Sequence, residues 1–184
     1  PELDLHTMAY WVQLPTDNFP KLSRDPEMWA RILQGLGEVL ATAASLRLMC
    51  DPRDLDTCIG SVTNDEWLSE GFDGLTLRDS DGQKHAFDQG EVPVDAEHHE
   101  TERQRVGPAL FNPSIFIYDC YPGGVGLGEG LFDNHRDFME MAKRLIAGCD
   151  CEKGCPSCVG PPDPGETEIK SAVEEALGKL AYLN

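Results

Sequence analysis

The apolar residues of this chain fall into blocks with two different periods. Over residues 3–14, Leu3, Leu5, Ala9 and Trp11 lie on alternate positions, and the other face is also partly apolar. That pattern predicts a strand covered on both sides. Pro15, Asp17, Asn18 and Pro20 end it. Pro26, with Asp25 as N-cap, then opens a helix to about residue 46. Its Trp29, Ile32, Leu33, Leu36, Val39, Leu40, Ala43 and Leu46 repeat at helical spacing and mark one buried face. Residues 46–50 read as a short strand running into a turn at Asp51, Pro52, Arg53 and Asp54.

Beyond residue 60 the pattern weakens. Asp79, Ser80, Asp81 and Gly82 have hairpin-turn chemistry between short strands at 75–77 and 85–87. Residues 95–105 are charged enough to read as an exposed loop or short helix. Residues 114–121 are the strongest strand, a nearly continuous apolar run expected to be buried on both faces. A glycine-rich turn follows at 122–130, then a helix over about 130–147. Leu131, Phe132, His135, Phe138, Met139, Ala142, Leu145 and Ile146 mark the packed face of that helix, and Gly148 suits its C-terminal stop. A last helix over about 166–182 turns Ile169, Ala172, Val173, Ala176, Leu177 and Leu180 inward. Alternating strands and helices give an α/β class, with a small mixed sheet flanked by helices.

Composition narrows the function classes. The 184 residues suit one domain, and 40% hydrophobic content supports a core without staples. The balance of 33 acidic against 15 basic residues leaves a net charge of −18, which argues against nucleic-acid binding by this segment acting alone. No run approaches the ~20 apolar residues of a membrane span, and there is no signal-like leader, so we expect no membrane partner and a cytoplasmic location. The chain starts at Pro1 rather than at a methionine and reads as an excised piece of a longer protein.

Four of the seven cysteines, Cys149, Cys151, Cys155 and Cys158, crowd into residues 149–158, between the last two expected helices. A disulfide framework would spread its cysteines along the chain, whereas C-x-C-x3-C-x2-C suits four thiolates at the corners of one zinc tetrahedron. Cys155-Pro-Ser-Cys158 is the familiar half, with Gly154 for the sharp turn and Pro156 to stiffen it. In Cys149-Asp-Cys151 the two side chains diverge unless the backbone curls, and Lys153 is a candidate to offset the charge of the site. A Cys155–Cys158 redox pair, an iron–sulfur cluster and an inert reduced cluster are the alternatives. Cys50 is a rival ligand for Cys149 or Cys151, though a small buried residue accounts for it better. Cys58 and Cys120 are assigned to packing.

No catalytic set emerges. The glycine turn has the location of a phosphate-binding loop without its motif, and a tight turn with positive φ accounts for the glycines. His6, His85, His98, His99 and His135 have no partnered nucleophile. Asp51, Arg53 and Asp54 read as a turn held by its own side chains.

Two stretches carry a family resemblance. One runs from Phe111 through Tyr118-Asp119, Pro122-Gly-Gly-Val-Gly-Leu127 and the helix to Cys149-Asp-Cys-Glu-Lys-Gly-Cys-Pro-Ser-Cys-Val-Gly160. The other comprises Leu5-His6-Thr7, Trp11 and the segment from Met49 to Leu55. Together they resemble the C-terminal zinc-binding domain of MrfA-type DEAD/DEAH-box helicases. The resemblance implies that 1–184 is one zinc-binding accessory domain, with a zinc knuckle at 148–160 and an insertion or flexible stretch at 60–107. It implies a structural Zn2+ held by Cys149, Cys151, Cys155 and Cys158. It also implies RecA-like motor domains as partners, DNA reached through the parent protein, and a parent resembling a 3′–5′ DNA repair helicase with relatives in phage defence. No ATP-binding motif lies in this chain, so we expect no ATPase activity from it. A protein-interaction module with an acidic face and a redox or iron–sulfur protein are the competing expectations.

Overall fold

Among the described residues six strands build one sheet: β1 (Ala9–Gln13), β2 (Leu55–Ser61), β3 (Trp67–Gly71), β4 (Gly74–Arg78), β5 (Lys84–His85) and β6 (Pro113–Asp119), in the order β1-β6-β2-β3-β4-β5. The computed structural model describes residues 5–14, 26–61, 67–71, 74–78, 84–85, 113–162 and 169–180. The expected Asp25 cap, the turn at 79–82, the charged stretch at 95–105 and the His98–His99 pair lie outside them.

Every pairing is antiparallel, which corrects the expected mixed sheet. The reason is topological. Between β1 and β2 the chain makes a helical crossover, which favours parallel neighbours. Instead β6 inserts between those two strands and runs opposite to both. The strands expected on either side of residue 80 pair with each other as β4 and β5, with Leu77 opposite His85.

Helix α1 (Pro26–Leu48) is the centre of the molecule. It packs against β2 and β6 on one side and against the last two helices on the other. Ile32, Leu36, Val39, Leu40, Ala43 and Ala44 are all fully buried, a wider apolar surface than one stripe, as expected of a helix enclosed on two sides. Its end differs from expectation. Residues 46–48 continue the helix instead of forming a strand, and Leu46 is exposed. Met49 adopts φ 53 and the Cys50 amide donates to the Ser45 carbonyl at 3.2 Å. This is a Schellman stop built without glycine. Residues 51–54 then form the expected self-capped turn. The Asp51 carboxylate accepts from the Arg53 amide at 3.0 Å, and the Asp54 carboxylate accepts from the Asp51 amide at 3.1 Å.

Sheet register explains the burial along β6. Ile115 and Ile117, opposite Val12 and Tyr10, face the helices and are fully buried. Phe116 and Tyr118 point the other way and are only partly covered, and Trp11 stacks on Phe116 with centroids 6.2 Å apart. The strand expected to be buried on both faces is thus buried fully on one.

The helix expected at 130–147 is two helices, α2 (Leu127–Asp133) and α3 (His135–Ala147). Asn134 breaks the phase with φ −110 and ψ 22. Its side-chain amide donates to the Gly130 carbonyl at 2.8 Å, and its Oδ1 accepts from Arg47. The phase change leaves Phe132, expected inside, 74% exposed. His135 keeps a partner, with its Nδ1 2.6 Å from the hydroxyl of buried Tyr10. Helix α4 (Ile169–Leu180) buries Ile169, Val173, Ala176, Leu177 and Leu180 as expected, with Ala172 half-buried. Among the described residues no helix is long and apolar enough to cross a membrane.

Candidate metal centre

The knuckle hangs between α3 and α4. The last turn of α3 delivers its first cysteine, with the Gly148 amide bonded to the Arg144 carbonyl and the Cys149 amide to the Ile146 carbonyl. The chain curls at once, so the Cys149 and Cys151 sulfurs lie 3.5 Å apart instead of diverging. A second turn, closed by the Cys158 amide on the Cys155 carbonyl at 3.0 Å, returns the other two. Gly154 permits it: its φ is +130, and a Cβ there would meet the Gly160 carbonyl oxygen at 2.9 Å.

The four sulfurs form a compact cluster. The pairs 149–155, 151–158 and 155–158 are separated by 3.5, 3.4 and 3.7 Å, and all four lie within 4.8 Å of one another. Zn–S bonds of about 2.3 Å in a tetrahedron require S–S edges of about 3.8 Å, so the donor set fits a single zinc. A disulfide would bring two sulfurs to about 2.05 Å, and all four cysteines are free. An iron–sulfur cluster spreads its thiolates around several irons, wider than one-metal edges. The Ser157 amide, with the neighbouring Cys149, draws the Cys155 thiol down to about 7, while burial pushes the Cys151 and Cys158 thiols up.

Cys50 is not in the cluster. It is half-buried at the end of α1, packed against the core. Cys58 is half-buried, and Cys120, expected in packing, is exposed. Lys153 is exposed. The lysine that reaches the knuckle is Lys170 in the first turn of α4, whose Nζ donates to the Cys149 and Cys151 carbonyls at 2.6 and 2.7 Å. No spacing rule in the sequence points to it.

The knuckle is also less coreless than its composition suggests. Cys158 and Val159 are buried in the main core. A Cβ on Gly35 of α1 would meet Val173 Cγ2 of α4 at 2.8 Å and the Val159 carbonyl oxygen at 3.2 Å. The absence of a side chain there lets α1, α4 and the end of the knuckle touch.

The glycine turn is occupied from within. Asp119, at the end of β6, is fully buried. Its carboxylate accepts from the Thr7 hydroxyl at 2.5 Å and the Val125 amide at 3.0 Å. Burial opposes its charge, yet the Thr7 hydroxyl and the Val125, Leu127 and Tyr121 amides hold its pKa below the ordinary value. The amides that an external anion would use are satisfied by this side chain. A lone acid closing an apolar strand before a glycine turn was the available signal.

A zinc-binding domain is the class of protein that this fold and sulfur cluster define. The family described as MrfA Zn-binding domain matches residues 87–159, a stretch that holds all four cysteines of the knuckle. An uncharacterised ATP-dependent helicase, YprA of Bacillus subtilis (strain 168), is 30% identical over 160 residues, which are 87% of this chain and 15% of YprA. A protein of Methanocaldococcus jannaschii, MJ1572.1, is 40% identical over 45 residues, 24% of this chain and 40% of that one. The crystal structure of the DUF1998 helicase MrfA bound to DNA superposes with TM-score 0.63 and 27% identity, over 97% of this chain and 18% of that one. MrfA bound to DNA and AMPPNP gives 0.52 and 26%, with 97% and 16% covered. The chain therefore spans less than a fifth of the helicases it resembles.

Proposed function

We propose that Cys149, Cys151, Cys155 and Cys158 hold one structural zinc, and that this chain is a non-catalytic accessory domain of an ATP-dependent DNA helicase. The compact four-sulfur cluster carries the first part: four cysteine sulfurs within 4.8 Å of one another supply all the ligands that a closed structural zinc site takes. Similarity to helicases solved on DNA supports the second. In this role the domain braces the RecA-like motor and the DNA path. The acidic charge leaves DNA contact to the parent protein. The metal ties α3, α4 and the underside of α1 into one unit, so that zinc binding becomes folding energy. Elemental analysis should find one zinc per chain. Cys155→Ser or Cys158→Ser should lose it and unfold residues 148–162. A metal-free wild-type chain, with both variants melting as wild type, would sink the zinc assignment. The accessory role predicts that joining the domain to its motor raises unwinding without changing ATP affinity. Equal unwinding with and without it would overturn that role.

The net charge of −18 also favours a second function, docking of a basic protein partner. Steeply salt-dependent pull-down of such a partner would favour it over the bracing role.

A further inference from the structure

Resting on the zinc assignment proposed above, we infer that Lys170 is a positioning residue for the metal ligands, a latch that makes zinc retention and the seating of helix α4 a single event. The geometry is specific. One ammonium donates to two backbone carbonyls, those of Cys149 and Cys151, at 2.6 and 2.7 Å. These residues are the C-x-C half of the site, where alternate side chains point apart in an extended chain. Bringing both sulfurs to one side requires the curl seen here, and the curl turns two carbonyl dipoles toward a common point. Lys170 sits at that point. It satisfies both oxygens and opposes the repulsion between them.

Charge adds to this. Four thiolates around Zn2+ carry a net −2, and a cation on the backbone of two ligands offsets part of it in a partly buried setting. The adjacent residue completes the latch from the apolar side: Ile169 is buried, its Cγ2 3.4 Å from where a Cβ of Gly154 would lie. The first turn of α4 therefore grips both halves of the knuckle, Cys149–Cys151 through Lys170 and the Gly154 turn through Ile169. Farther along, Val173 seats α4 on α1 at Gly35. Loss of the metal would relax the curl, free Lys170 and loosen α4 from α1.

The test uses the zinc-loaded chain and variants Lys170→Met, Lys170→Gln and Lys170→Arg. Lys179→Met is the control, removing a lysine from the same helix whose Nζ instead pairs with Glu175 at 2.8 Å. Zinc transfer to a chromophoric chelator should be about 10-fold faster or more in Lys170→Met, the scale on which groups behind metal ligands act. Lys170→Gln, which keeps an N–H donor group but loses the charge, should lie between Met and wild type, and Lys170→Arg should restore slow release. In cobalt-substituted protein, Lys170→Met should shift the thiolate-to-metal and d–d bands, which a purely helix-stabilising residue would leave in place. Should Lys170→Met fail to fold, the Gln and Arg pair decides. Release within twofold of wild type for Lys170→Met and Lys170→Gln, or equal acceleration by Lys179→Met, overturns the latch while the zinc assignment stands. A wild-type chain that takes up no zinc overturns both.

Discussion

Two loops bracket the α2–α3 pair, one closed around a carboxylate and the other gathered around four cysteine sulfurs. Before α2, the glycine turn wraps its amides around a carboxylate that the chain supplies itself, the buried Asp119. After α3, the knuckle gathers four sulfurs within 4.8 Å of one another, close enough to hold one cation, which on the proposed zinc assignment comes from solution. Both loops are rich in glycine and short of apolar side chains, and neither would hold its shape through burial alone. The difference lies in who provides the ion. An anion on the backbone's own strand is always present, and its contribution is set by pH. A bound metal contributes according to its concentration and affinity, so the order of the knuckle depends on conditions in a way the glycine turn does not.

Chelation should separate the loops most sharply. Stripping zinc is expected to remove hydrogen-exchange protection from residues 148–162 and from the first turn of α4, a loss equivalent to several kcal/mol given the ~10–16 kcal/mol of apparent binding energy in structural zinc sites. The amides of Val125 and Leu127 should stay protected. Equal loss in both loops would show that they open together and would break the comparison.

Replacing Asp119 tests the other side. Asp119→Asn keeps the shape but loses charge-assisted hydrogen bonds, at a cost of about 1.5–3 kcal/mol at neutral pH by denaturant unfolding, with zinc content unchanged. The sign of the pH dependence follows from the direction of the shift. The folded pKa lies below the ordinary aspartate value of 3.8, so the carboxylate's contribution is complete above that value and disappears as pH falls through the lower folded one. The gap between wild type and Asp119→Asn should therefore stay constant down to about pH 4 and close only in stronger acid. The knuckle should fail earlier in the same titration, because protons compete for thiolates whose ordinary pKa is about 8.5. A gap that closes together with zinc release would mean the carboxylate acts through the metal site.

The smallest effect should come from Gly35→Ala. Its Cβ would crowd Val173 and Val159, at a cost of about 1–3 kcal/mol. The loss should appear as faster zinc release and weaker protection of α4, with no change at the glycine turn. A uniform loss over both loops would place α1, rather than the knuckle, in control of local order.

Some of this was legible in the residues alone. The cysteine spacing singled out four residues, and the structure brings their sulfurs together, because short spacers are folded by local turns of the chain. The long helix, the Asp51–Asp54 turn and the inward face of α4 followed from periodicity and capping for the same reason. Errors arose where a distant segment decided the outcome. Residues 46–48 look like a strand but extend α1, since the Schellman stop falls at Met49. Phe132 has helical spacing yet lies outside, because Asn134 resets the phase and is held there by Arg47 from α1. Strand directions could not be read from the alternation of elements, since β6, far along the chain, inserts between β1 and β2.

What the sequence determined by itself is the candidate chemistry of the knuckle: four cysteines a few residues apart, whose sulfurs the fold gathers within 4.8 Å of one another. What only the tertiary structure decided is how that chemistry is used. Asp119 closes the glycine turn to outside anions, Lys170 crosses from α4 to the curl of Cys149 and Cys151, and Gly35 lets three segments meet. Ligand spacing is carried by neighbours a few residues apart, so the chain encodes it directly. The contacts of Lys170 and Gly35 join residues far apart in the chain, and exist only once the core has placed their helices side by side.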